Sequence, residues 1–198
     1  MTTLLFVRHG THGLLGKRFV ARTPGVLLNE EGWREAEAVA DSLRDVEIAA
    51  IYSSPMERAM QTADPLAKQK NLEIQVREEL NEIHIGEWSN LTMDELRQIP
   101  GWKEWHELRS CNTPPGGEKM LDVQHRMIAA LEEIRCTHEG QTVAMFSHGD
   151  PIRAALAYYM GIPIDLFNRL RVDPGSISAL EFGEHEVQLT RLNEAPFP

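Results

Sequence analysis

Cysteine is nearly absent from this chain. Cys111 and Cys136 are the only two in 198 residues. That is too few for the disulfide framework of a small secreted domain, and nothing beside them would lower a thiol pKa. The plain reading is two reduced thiols that serve as packing residues in a cytoplasmic protein. Long apolar runs are missing too. The only one near the start, Thr3–Val7, is too short for a secretion signal and has no basic lead-in. No stretch reaches the roughly 20 apolar residues that a membrane span needs. Acidic residues are missing in one place only. None occurs before Glu30, although the whole chain carries 30 Asp and Glu against 20 Lys and Arg, for a net charge of −10. That excess argues against a nucleic-acid or anionic-membrane partner. The acid-free stretch holds Arg8, Lys17, Arg18 and Arg22. Such a basic island suits a small anionic ligand drawn to one local site. Chance clustering in a solvated loop is the bland alternative.

What is present alternates between two periodicities. Leu4–Val7, Ile48–Tyr52 and Thr142–Phe146 are short apolar runs, as expected of strands buried on both faces. Glu73–Val76 reads as a further strand. Glu30–Leu43 reads as a helix with Trp33, Ala36, Val39, Ala40 and Leu43 at helical spacing. Ser54-Pro55 reads as the N-cap and first turn of another helix, which Pro65 should kink or restart. Thr92 to Glu95 spells a capping box. Glu118–His138 is a long amphipathic helix stopped by Gly140, and Asp150-Pro151 should cap the next one. Ser176–Phe182 and Glu186–Leu192 read as a hairpin around Gly183. With no repeat or linker, these elements imply one α/β domain over residues 1–198. Its sheet is expected to be doubly wound and mostly parallel, with helices on both faces. The irregular Pro- and Gly-rich stretch ending near Glu118 marks a small cap excursion, about residues 83–118.

In such sheets ligands bind beyond the carboxyl ends of the strands. After the first run comes Arg8-His9-Gly10. After the second, Ser54 leads to Arg58 in the first turn of a helix. After Thr142–Phe146 comes Ser147-His148-Gly149-Asp150. One His-Gly after a strand is usually a turn. Two of them, with two arginines, converge on one face of a sheet. Guanidinium forks match phosphate oxygens in pairs. A neutral imidazole is a competent nucleophile toward phosphorus. Phosphoryl transfer chiefly needs in-line positioning and neutralisation of the equatorial oxygens. Arginines, a second histidine and helix N-termini supply that without a metal. A proton must also reach the leaving oxygen. Glu82, His84 and Glu87, in the loop after the third strand, each qualify by position.

Arg8-His9-Gly10, Ser53 to Ala63, Leu80-Asn81-Glu82 with Gly86 and Trp88, Pro115 to Glu118, and Ser147-His148-Gly149 together resemble the histidine phosphatase superfamily, in its phosphoglycerate-mutase-like branch. The resemblance spans nearly the whole chain in order. It implies His9 as the nucleophile, Arg8, Arg58 and His148 as phosphate binders, and Glu82 as the general acid. The family usually places an Asn that touches phosphate where this chain has Leu15, so His12, Arg18 or Arg22 is expected to substitute; Arg22 is carried as the candidate phosphate binder. Family mutases tend to be longer and usually carry Asn where this chain has Asp150. Both points favour a phosphatase over a mutase. A non-catalytic phospho-ligand binder is the third alternative.

Other readings fail on spacing. Gly10, Gly13 and Gly16 do not form a dinucleotide loop, and Gly16-Lys17 is followed by Arg18 instead of the Ser or Thr of a Walker loop. His9 and His12 have no carboxylate or thiol beside them in sequence, so no metal site is expected. The remaining histidines, His106 among them, read as surface or satisfied residues. Trp88, Trp102 and Trp105 read as packing for the acid loop, with Trp102, Trp105 and Arg109 at the substrate entrance as the lesser reading. The expectation is a cytoplasmic phosphatase that needs no cofactor and takes a small phosphorylated metabolite.

Overall fold

The computed structural model describes residues 1–196. Six strands form one sheet in the order β3-β2-β4-β1-β5-β6. They are β1 (Thr2–Arg8), β2 (Ala50–Ser53), β3 (Ile74–Val76), β4 (Thr142–Ser147), β5 (Ile177–Phe182) and β6 (Val187–Glu194). The pairs β1–β4, β2–β4 and β2–β3 are parallel, whereas β5 runs antiparallel to both β1 and β6. The hairpin expected around Gly183 is therefore the antiparallel edge of a mostly parallel sheet.

β1 reads as an unbroken apolar run because its alternate residues serve two cores. Leu4 and Phe6 pack with Val123, Met127 and Leu131 of α5 (Met120–Thr137) and with Ile152 of α6 (Gly149–Tyr159). Leu5 and Val7 pack with Val39, Ala40 and Leu43 from α1 (Glu30–Ser42) and the turn after it, and with Ala63 and Leu66 of α2 (Glu57–Lys70). Trp33 lies off this stripe and is 37% exposed.

Three local expectations are corrected. Ser54 does not cap α2. The helix starts at Glu57 with Met56 as its N-cap; the Ser54 hydroxyl, which receives His148 Nε2–H, accepts among backbone groups only from Met56 N–H at 3.3 Å, just ahead of the helix. Pro65 does not restart the helix, which runs through it to Lys70; the buried Ala63, Leu66 and Ala67 hold that turn in place. Asp150 does not cap α6 either. His148 is the N-cap and Asp150 lies in the first turn. The thiols of Cys111 and Cys136 are free and exposed, so they are not packing residues. No helix among the described residues is long and apolar enough to cross a membrane.

The cap stretch carries two short helices, α3 (Met93–Gln98) and α4 (Trp102–Glu107). Thr92 and Glu95 form the full capping box at the start of α3. Trp88, Trp102 and Trp105 meet edge-on or tilted, with ring centroids 5.3–5.6 Å apart. Trp105 is fully buried. This aromatic knot ties the cap to the core that contains α5 and α6.

Candidate active site

Register brings the chemistry together. Arg8 pairs with Ser147 across β1 and β4, and Ser53 pairs with Phe146 across β2 and β4. The three strands thus end level, and the residues that follow them, His9, Ser54 and His148, are neighbours. The His9 and His148 rings lie 5.1 Å apart, and the His9 and His12 rings 5.5 Å apart.

The loop after β1 is pinned tightly. Gly10 N–H donates to Thr62 Oγ1 at 2.9 Å, and that hydroxyl donates to the Arg58 carbonyl at 2.6 Å. A Cβ on Gly10 would sit 2.7 Å from the Gly32 carbonyl oxygen, so only glycine lets the loop approach the start of α1. Glu35 of α1 accepts from Thr11 N–H at 2.6 Å and from its hydroxyl at 2.9 Å.

The tautomers follow from the partners. His9 Nδ1 faces the Gly10 carbonyl at 2.8 Å. A carbonyl only accepts, so Nδ1 carries the hydrogen and Nε2 keeps its lone pair. His148 Nδ1 lies 3.2 Å from Arg58 Nη2, which only donates, so its Nε2–H points to Ser54 Oγ at 2.8 Å. Burial first, then Arg58 and other nearby charges, holds both histidines well below the usual imidazole range. His12 is lowered to about 4 by burial, then Arg58 and Arg8. All three imidazoles are neutral at pH 7.

Arg58 is buried and Arg8 half-buried, yet both are unsaturated. Arg58 is 1% exposed. Its Nη2 donates to the Ala21 carbonyl at 2.7 Å, but Nε and Nη1 find no partner. Arg8 Nη1 donates to the Val172 carbonyl at 2.7 Å, while its Nε is unpaired. His12 Nδ1 is unpaired as well. Unpaired buried donors on cations are costly and rare. Three such atoms, with the unpaired Nδ1 of the neutral His12, gather by the His9 imidazole as a hole for an anion.

Glu82 is the one of the three loop candidates that reaches this hole. It is buried and lines a cavity of ≈ 220 Å³ together with Arg8. His84 and Glu87 are exposed. Glu82 Oε1 accepts from Ile83 N–H at 2.8 Å. Burial first, then the Asp150 charge, pushes its carboxyl up to about 7. The loop is tied to β4 by the Ser147 hydroxyl, which donates to the Leu80 carbonyl at 2.7 Å.

The basic island does not act as a unit. Lys17 and Arg18 are exposed. Arg22 Nε donates to the Glu82 carbonyl at 2.6 Å, and its Nη2 pairs with Glu118 Oε2 at 2.5 Å. Arg126 Nε donates to Glu118 Oε1 at 2.9 Å, and its Nη2 to the same Glu82 carbonyl at 3.2 Å. Glu118 Oε2 also takes His84 N–H at 2.8 Å. Arg22 and Arg126 thus brace the acid loop from behind. The sequence pointed to Glu118 only as part of a motif. Apart from Arg126–Glu118, eight positions apart, the contacts join residues 34–96 positions apart and leave no local pattern.

Beyond Glu82 the cavity runs under the cap, past Phe19, Trp102, His106, Arg109, Asp150 and Arg153. His106 is therefore part of the site wall, and Arg153 is at its rim. Among the described residues no cluster of three or more His, Cys, Asp or Glu is arranged to hold a metal ion.

The sequence profile of the histidine phosphatase superfamily (branch 1) matches residues 4–195. Phosphoserine phosphatase 1 of Hydrogenobacter thermophilus is 32% identical over 198 residues, covering 98% of this chain and 92% of that protein. The bifunctional protein Rv2228c of Mycobacterium tuberculosis is 36% identical over 194 residues. The chain spans only 53% of its length. Among solved structures, Bacillus stearothermophilus YhfR superposes with a TM-score of 0.90 at 29% identity, with 98% of each chain covered. The mycobacterial glucosyl-3-phosphoglycerate phosphatase Rv2419c superposes with a TM-score of 0.86 at 25% identity, over 97% of this chain and 98% of that one.

Proposed function

Because the chain belongs to the histidine phosphatase superfamily (branch 1), we propose that it is a phosphomonoester phosphatase that works through a phosphohistidine on His9. One observation carries the reading: Arg8, Arg58 and His12, the groups whose charges act on the His9 imidazole, hold four buried, unpaired nitrogens, and His9 Nε2 keeps its lone pair. We read the sheet as doubly wound, its two cores being the two helical layers, which sets this hole at the strand ends where such sheets bind ligands.

In the first step His9 Nε2 attacks phosphorus and the P–O bond to the alcohol breaks. Glu82, protonated near neutral pH, gives its proton to the departing oxygen. Arg8 and Arg58 hold the equatorial oxygens, their unpaired nitrogens aimed at charge that grows in the transition state. An oxygen that draws Arg58 Nη2 toward it frees His148 Nδ1. In the second step water attacks the phosphohistidine, Glu82 takes its proton, the P–N bond breaks and Nε2 recovers its lone pair. No step calls on a metal or other cofactor. Arg22, bonded to the Glu82 carbonyl and Glu118, serves this scheme as a support for the acid instead of a phosphate ligand.

A mutase would return the phosphoryl group to the product alcohol instead of to water. Rapid quench with labelled p-nitrophenyl phosphate separates the readings. An acid-labile, base-stable label on His9, followed by release of inorganic phosphate in the presence of chelator, is the expected result. Full turnover by His9→Ala, or a label on Ser, Cys or Asp, would end this reading.

A further inference from the structure

One hydroxyl stands between the nucleophile and the arginine that clamps the phosphate. His9 Nδ1–H donates to the Gly10 carbonyl at 2.8 Å, which fixes the direction of the Nε2 lone pair. The N–H of the same Gly10 donates to Thr62 Oγ1 at 2.9 Å, and that hydroxyl donates to the Arg58 carbonyl at 2.6 Å. These bonds run from the imidazole to the backbone of the residue that carries the guanidinium. They cross from the loop after β1 to α2, where Gly10 and Thr62 are 52 positions apart in sequence.

A threonine inside a helix commonly returns its hydroxyl to the carbonyl four residues back, so the bond to Arg58 alone carries nothing. The bond from Gly10 is different. An amide N–H only donates and a carbonyl only accepts, so the one hydroxyl answers both and its orientation is fixed. Thr62 and Gly10 are both buried. Without the hydroxyl, the Gly10 N–H would have neither water nor a protein partner. On its other side the loop rests on α1. The point where a Cβ on Gly10 would sit is 2.7 Å from the Gly32 carbonyl oxygen, and Glu35 holds the next N–H, that of Thr11, at 2.6 Å. The nucleophile's loop is thus held between two helices, with Thr62 as its bond to the one that carries Arg58.

We infer that Thr62 is a positioning residue for phosphoryl transfer, and that its hydroxyl sets His9 Nε2 in line with the phosphorus that Arg58 holds. This rests on the phosphatase reading and adds to it a residue that never touches substrate. Inorganic phosphate has only to satisfy the guanidiniums, so it can follow Arg58 when the loop shifts. A phosphoryl group in transfer must also meet the Nε2 lone pair, and a misplacement of about 1 Å there costs about 10²-fold. Loss of the hydroxyl is therefore read in the rate of the first step and not in phosphate affinity.

The test compares Thr62→Val, which keeps the shape and loses the hydroxyl, with Thr62→Ser, which keeps the hydroxyl. Single-turnover phosphorylation by p-nitrophenyl phosphate should be about 10–100-fold slower in Thr62→Val and within about threefold of the parent in Thr62→Ser, with inhibition by inorganic phosphate changed less than about threefold in both. Thr62→Cys, whose thiol is a weaker partner at the same place, should fall between them, and it carries the comparison if Thr62→Val does not fold. In the Arg58→Met background the fork that fixes the phosphorus is gone, so Thr62→Val or its stand-in should cost only about threefold or less, because residues that act as a unit are not additive. Val39→Ala, in the core beneath β1, is the control for stability; it should lower the melting temperature and leave the rate of the folded enzyme unchanged. Thr62→Val, or Thr62→Cys in its place, as fast as Thr62→Ser overturns the inference. So does a loss in phosphate inhibition equal to the loss in rate, a full loss added to that of Arg58→Met, or an equal rate loss in Val39→Ala. In each of these cases p-nitrophenyl phosphate is still hydrolysed through His9. If p-nitrophenyl phosphate is not hydrolysed at all, or is hydrolysed equally by His9→Ala, the phosphatase reading falls and this inference falls with it.

Discussion

Arg58 is the most demanding test of the anion hole, because it must be costly without ligand and indispensable with it. Its guanidinium is 1% exposed, and two of its three nitrogens have no partner. A phosphate oxygen reaching Nε and Nη1 would make two charge-assisted bonds at roughly 1.5–3 kcal/mol each. Arg58→Met should therefore weaken inhibition by inorganic phosphate by about 10²–10⁴-fold, since 1.4 kcal/mol is tenfold. Arg58→Lys keeps the charge but loses the planar fork, so it should recover less than half of that loss in free energy. Melting temperature supplies an independent readout. Phosphate at a hundred times its dissociation constant stabilises the parent by about 2.7 kcal/mol. For a chain of this length that is a rise of roughly 5–10 °C. The rise should vanish in Arg58→Met. Removing a buried cation with two unpaired donors also relieves a penalty of about 1–3 kcal/mol per donor, against the loss of its bonds to the Ala21 carbonyl and to His148 Nδ1. The phosphate-free variant should thus melt no lower than the parent. A phosphate inhibition constant within threefold of the parent's, or a phosphate-free variant that melts well below it, refutes the reasoning.

Three other outcomes follow from the same geometry. With the Glu82 carboxyl at about 7, kcat/KM for an alkyl phosphate should fall as pH rises through that value, because the acid loses its proton, and on the acid side it should hold below pH 6.5, because His9 resists protonation; a profile that rises from pH 6 to 8 contradicts the assignment. Glu82→Gln should slow single-turnover phosphorylation by an alkyl phosphate about 10²–10⁴-fold and by p-nitrophenyl phosphate much less, whereas His84→Gln and Glu87→Gln should show no such leaving-group dependence. Glu118→Gln, which loosens Arg22 and Arg126 behind the acid, should lower kcat for alkyl esters about tenfold, the loss of roughly one charge-assisted bond, with little change in phosphate inhibition; an equal loss on both measures would mean that the brace supports the phosphate hole instead.

The strands were readable because burial leaves a local trace. β1 and β4 are apolar at nearly every position since their alternate residues enter different cores. The capping box of α3 was readable because all its bonds lie within four residues. Ser54 misled because its serine-proline pair has the local grammar of a helix start, while its hydroxyl reaches only Met56 N–H ahead of the helix and is shared with His148, 94 positions away. Asp150 misled in the same way. It has the position of a cap, but its oxygens go to Arg109 and Arg153. In both cases a polar side chain beside a strand end is bonded to a residue of the site that sequence spacing does not reveal.

Arg22 shows where motif and charge reasoning stop. Four basic residues in an acid-free stretch look alike in sequence, and all four would attract an anion. Geometry divides them by what lies behind them. Arg8 ends a strand that finishes level with β4, so its side chain is carried into the hole with a nitrogen unpaired. Arg22 follows a loop that passes the acid segment, where the Glu82 carbonyl and the Glu118 carboxylate capture it. A guanidinium already bonded to a carboxylate has little left to offer a phosphate, whereas one that burial has left unsaturated has a great deal. Within the acid-free stretch, an unpaired buried donor marks Arg8 as a partner for the anion, and bonds to the acid loop mark Arg22 as a support.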